Sequence, residues 1–174
     1  MIGVLFLAVF VALPFMGCAP TYLQPTVDVD KFAAQSQSEG IMSADDYRRV
    51  MHLQAVAAAG KTLTDSDVDW LIALANEPGE QSQRVSRMKD VGMPFGYCRR
   101  SSLPADRISA VFNFAKELAS ISNTDGGAGL YACMIMHRVV GAPAIPDLRA
   151  MLVSPNDYVR YAARRALRAI ANGT

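Results

Sequence analysis

The chain of 174 residues has few of the side chains that usually carry chemistry. It holds two histidines, three cysteines and one tryptophan. No two cysteines show the C-x-x-C spacing of a zinc site, and His52 and His137 are scattered, so no metal is expected. Neither histidine has a nucleophile or a carboxylate at a readable spacing, and any sequence can be made to yield a Ser-His-Asp trio on paper. No residue is therefore assigned a catalytic role, and no cofactor is expected. An overall excess of charge is missing too: the formal net charge is +1, so composition alone names no acidic partner. No stretch alternates apolar and polar residues with the period of two that a half-buried strand requires.

Two short motifs invite a ligand and lack its essential parts. "DSDVDW", residues 65–70, spaces its acids as a calcium loop does, but its sixth position is Trp70 and its twelfth is Asn76. The turn glycine and the bidentate glutamate are both gone. "TDGGAG", residues 124–129, has no following Gly-Lys-Ser/Thr and reads as a flexible start to a helix rather than a phosphate loop.

What the chain does have is helix. Half of it is hydrophobic. Apolar residues recur at the helical period in Val68, Leu71, Ile72 and Ala75, and again in Ile108, Val111, Phe112, Ala115 and Leu118. Ser43 and Asp46 suit a capping box, Thr64 or Ser66 a cap, and Pro104 a first helical position. Glycines at Gly60, Gly92, Gly141 and Gly173 read as helix stops. The expected fold class is all-α, with about seven helices in antiparallel pairs. Charge is unevenly spread: residues 19–80 carry ten acids against four bases, and the remainder six acids against thirteen bases. Such polarity can orient a partner or simply decorate solvated faces.

The first residues suggest export. "IGVLFLAVFVALPFMG", residues 2–17, has no charge and is short for a membrane span, which needs about 20 apolar residues. "FMGCAP" then places Gly17 directly before Cys18. This arrangement resembles the lipobox of bacterial lipoprotein signal peptides. Phe15 and Met16 depart from the usual Leu and small residue. The resemblance implies cleavage before Cys18 and lipid on that cysteine. An uncleaved anchor helix and a plain secretion signal are the other readings. All three place the remainder outside the cytoplasm, and Ala19 after the cysteine leans toward the outer membrane where there is one. The organisation expected is a signal peptide at 1–17, a lipid-anchored flexible tether at 18–42 and a helical domain at 43–174.

The clearest internal pattern is "AIPDLRAMLVSPNDYVRYAARRALRAI", residues 144–170. Ile135, Met136 and Val139 lie over Ala166, Leu167 and Ile170 at a spacing of about 31 residues, within the range of helical-repeat periods. The stretch resembles a HEAT repeat, especially the short type of the phycobilisome-lyase HEAT-like family. Ile145, Leu148 and Leu152 match its first-helix apolar positions. Asp157, Val159 and Arg160 match the signature that opens its second helix, and Ala162, Ala163, Ala166, Leu167 and Ile170 match its packing face. The preceding unit has "DGGAG" where the Asp-Val-Arg triplet would stand. The resemblance implies an α-α superhelix of about three to four helical pairs, and gives Arg160 a partner acid in its own or the adjacent repeat.

Three groups of residues remain as candidates. Arg160, Arg164 and Arg168 share one face of the last helix, which is solvated or meets an acidic protein or anionic lipid. Export argues against nucleic acid. "GMPFGYCRRSSLP", residues 92–104, reads as a surface loop that brings Phe95, Tyr97, Arg99 and Arg100 together, residue types that interfaces favour. Cys98 and Cys133 are an even pair in an exported chain and could form a disulfide, or could be one loop thiol and one buried thiol. The expected function is that of an envelope-anchored scaffold or adaptor for a protein partner. The alternatives are an accessory resembling the lyase branch of the family, or a carrier of a lipid or other ligand.

Overall fold

The computed structural model describes residues 28–122 and 125–173, and these form an all-α protein. Residues 1–17 and Cys18 lie outside the described part. Eight α-helices follow in order among the described residues: α1 (Val29–Ser38), α2 (Ala44–Ala58), α3 (Asp65–Ala75), α4 (Gln81–Tyr97), α5 (Ile108–Ser120), α6 (Gly126–Ile135), α7 (Ile145–Ala150) and α8 (Asp157–Ala171). They pair as α1 with α2, α3 with α4, α5 with α6 and α7 with α8. The second helices also pack in succession, α2 on α4, α4 on α6 and α6 on α8. That arrangement is an α-α superhelix of four hairpins, whose even-numbered helices form a continuous layer. No helix of the described residues is long and apolar enough to cross a membrane.

Local chemistry sets the helix starts. Ser43 Oγ accepts from the Asp46 amide at 3.1 Å. Thr64 and Asp67 form a reciprocal capping box. Asp125 opens α6 by accepting from the amides of Gly127 and Ala128, so that helix begins within "DGGAG" and earlier than the apolar run at Leu130 suggests. Gly60, Gly141 and Gly173 have positive φ and end their helices, as the sequence led one to expect. One hydrophobic cluster threads the stack, with Leu63, Leu71, Leu118 and Leu148 fully enclosed. Each such leucine stabilises the fold by about 1.5–3 kcal/mol.

Three expectations need correction. First, the tether assigned to 18–42 does not extend through its second half. Val29–Ser38 is a helix, capped by Asp28, with Ala33 and Ser36 buried, and it pairs with α2. Arg48 of α2 clasps it by meeting Asp30 at 2.8 Å, and Gln83 of α4 donates to the Glu39 carbonyl at 3.0 Å.

Second, Gly92 does not stop a helix. α4 continues through Gly92 and Pro94 to Tyr97, because Gly92 and Gly96 let α6 approach closely. A Cβ on Gly92 would stand 3.2 Å from Tyr131 Cβ of α6 and 3.0 Å from Leu118 Cδ1 of α5, and one on Gly96 would stand 3.2 Å from Tyr131 Cδ1. The first half of the supposed surface loop is therefore helix. Phe95 is fully buried with its ring edge-on to Phe114 at 5.5 Å, so it anchors the core and not a partner.

Third, Cys98 and Cys133 are both free and both buried. Cys133 instead places its thiol 3.7 Å from Met151 Sδ.

Candidate functional site: a basic cleft

After α4 the chain turns through Arg100–Ser102 and Ala105–Arg107 before α5 begins. That turn meets the end of the third hairpin, where α6 passes into a single π-turn over Met136–Val140. The two segments lie some 40 residues apart in sequence and are sewn together by their arginines. Arg100 Nη1 donates to the carbonyls of Val139 and Val140, each at 3.3 Å. Arg138 Nη1 donates in the other direction, to the Gly96 carbonyl at 3.3 Å. Last-turn carbonyls are the partially negative end of a helix, so both cations sit where backbone dipoles favour them.

Between these segments is an open cleft of about 940 Å³, lined by Arg99, Arg100, Ser101, Leu103, His137 and Arg138 among others. No carboxylate lines it among the described residues. Arg99 and Arg138 also border a second recess behind it, with Tyr97, Ser101 and Ser102. None of Arg99, Arg100 and Arg138 forms an ion pair among the described residues. Burial lowers the Arg138 pKa from its ordinary value, and the neighbouring Arg99 charge lowers it further. A half-buried guanidinium held beside another is a site that an anion would relieve, and carboxylate or phosphate oxygens fit its donor fork.

Several other arginines are used internally. Arg107 meets Asp69 at 2.8 Å and also Asp106 and Asp65; Arg49 stacks over Trp70 at 4.0 Å; Arg87, buried, meets Glu77 at 2.9 Å. The acids of "DSDVDW" are thus committed to a helix cap and to ion pairs. No cluster of His, Cys, Asp and Glu among the described residues could hold a metal ion.

Of the residues singled out in the sequence, the cleft gathers Arg99 and Arg100, with Tyr97 at its rear recess. Phe95 is excluded by burial. Arg160 pairs with Asp157 and donates to the Ser154 carbonyl at 2.6 Å, so it braces the turn that opens α8. Arg164 and Arg168 are exposed on α8 and line neither cleft wall. His137 and Arg138 join the site without having been singled out for it. The available signal was two basic residues in the last turn before Gly141, which marks a helix end but not its neighbour.

A scan against family models, a search of curated proteins and a search of solved structures each find no match to this chain.

Proposed function

We propose that this protein is an envelope adaptor, held at the membrane by lipid on Cys18, whose helical stack grips an acidic segment of a protein partner in the basic cleft. The observation that carries the reading is that Arg99, Arg100 and Arg138 line one open cleft with no carboxylate among its described lining residues. Interfaces enriched in arginine and tyrosine, with a charge of one sign, favour a complementary partner and fast association. The HEAT-like assignment of the last unit is part of the same proposal. It is supported by the Asp157–Arg160 pair, which is the pairing that the resemblance implies.

Two experiments test the two halves. A photo-crosslinking amino acid replacing Ser101, which is exposed and lines the cleft, should capture a discrete protein in envelopes. The additional change Arg99→Glu should abolish that adduct by reversing a cleft charge. Capture that is indifferent to Arg99→Glu removes the cleft from the account. For the anchor, Cys18→Ser should end palmitate incorporation and release the protein from membranes; retention of both overturns lipidation at that residue.

A further inference from the structure

The basic cleft does not stand alone. His137 lines it on one side and, on the other, lines a groove of about 430 Å³ between α6 and α8. The groove exists because its floor is small: Cys133, Ala162 and Ala166 are buried residues with little side chain to fill the space. Its rim carries Leu130, Met134 and Tyr161. Leu130 and Tyr161 are 43% and 60% exposed, which puts two large apolar side chains of facing helices into solvent. Arg165 closes the rim, stacked beside the Tyr161 ring at 5.9 Å. No acid lines this groove among the described residues either.

An apolar trough therefore adjoins a cationic cleft at His137 and has a further cation, Arg165, on its rim. We infer that the two form one surface, and that its occupant is an acidic amphipathic helix of a partner protein. Its apolar stripe lies between α6 and α8, and its carboxylates meet Arg99, Arg100, Arg138 and Arg165. Charge complementarity selects the occupant: an apolar segment without acids would leave the cations unanswered, and an acidic segment without an apolar face would leave Leu130 and Tyr161 in water. Helix-in-groove recognition needs apolar anchors at i, i+3 or i+4 and i+7. This inference rests on the proposed role of the basic cleft, and deepens it by naming the kind of partner segment.

The test uses the full-length protein and two fluorescent helical peptides of identical composition, rich in leucine and glutamate. One gathers its leucines on a single face; in the other they are spread around the helix. The first should bind about tenfold tighter or more, since only it can bury a leucine face. Leu130→Asp and Tyr161→Asp, at exposed positions that leave the circular dichroism unchanged, should erase that preference and leave the weaker binding of the spread peptide. Arg99→Glu should weaken both peptides. Equal binding of the two peptides overturns the groove and leaves the cleft reading standing. A preference that ignores Arg99→Glu and salt overturns the cleft reading while the groove stands. Failure of both peptides overturns both. Tight binding of dodecyl phosphate with no preference between peptides also overturns the inference, in favour of a lipid occupant.

Discussion

Arg138 donates to the Gly96 carbonyl, and by that bond the π-turn after α6 is held on the last turn of α4. Arg100 answers it with bonds to the Val139 and Val140 carbonyls. Two of the cleft's three cations, Arg100 and Arg138, are thus also its fasteners, which keeps their donor forks oriented before any ligand arrives. Arg100→Ala should cost about 1 kcal/mol, the usual worth of a partly exposed charged bond, and lower Tm by about 3 °C. Arg99→Ala, which removes no bond that the structure records, should leave Tm within about 1 °C. Thermal melts followed by circular dichroism at 222 nm separate the two; equal losses would mean that Arg100 does not fasten the turn.

The close packing of α6 on α8 makes a sharper prediction. A Cβ at Gly129 would lie 2.4 Å from Val159 Cγ2 and 2.9 Å from Ser122 Cβ, and Val159 is fully buried. Alanine gains about 1 kcal/mol of helix propensity over glycine. The clash outweighs that gain, because neither neighbour can move without opening the core. Gly129→Ala should destabilise by about 2 kcal/mol net. Gly60→Ala is the contrast: nothing lies within 4 Å, but φ is +72°, so the cost is backbone strain of about 1 kcal/mol. Urea titrations should rank Gly129→Ala as the more damaging of the two; the opposite order would place α6 farther from α8.

The same glycines explain what the sequence could and could not tell. The all-α class, the caps at Ser43 and Thr64 and the stops at Gly60, Gly141 and Gly173 are local matters, and each was readable from a few residues. Gly92 looked identical to those stops, yet its role is steric. Only the position of Tyr131, on another helix, decides between a terminator and a contact. α1 was invisible because its buried face is Ala33 and Ser36, too small and too polar to register as a hydrophobic period. The cleft was half visible. Arg99 and Arg100 are neighbours in sequence, but Arg138 reaches them only because α4 and α6 pack together through glycine. Burial of Phe95 follows from the same extension of α4.

Burial pushes the Cys133 thiol up to about 12, and pushes Cys98 to about 12 as well, against the lowering effect of the Arg138 charge. Thiolate is the reactive form, so both should be inert at neutral pH. Iodoacetamide at pH 7.5 should label Cys98 and Cys133 at least about a hundredfold more slowly than a free thiol. In denaturant both should be alkylated fully without a reductant. A cross-linked peptide joining the two in the non-reduced digest would sink the free-thiol assignment.

Asp90 offers a pH signature. It lies on α4, and burial raises its pKa from the ordinary carboxylate range to about 6; the Lys89 charge opposes the rise and the Asp125 charge adds to it. Burial is the largest cause of the raised phenol pKa of Tyr131, and the Tyr97 and then the Asp90 charges add to it. In the unfolded chain Asp90 should titrate near the ordinary aspartate value of 3.8. Between about pH 4 and pH 6 the folded chain therefore binds more protons than the unfolded one, and the Asp90 contribution to stability falls as pH rises through that window. The cost levels off about one unit above the folded pKa, near pH 7. Asp90→Asn keeps the shape and removes the charge. It should converge on the parent protein toward pH 3.5 and exceed it by about 3 kcal/mol above pH 7, with the difference developing between those limits. Urea midpoints measured from pH 3.5 to 8 for both proteins give this difference directly. A constant offset across the range would mean that Asp90 titrates alike in the folded and unfolded chain and is solvated in both.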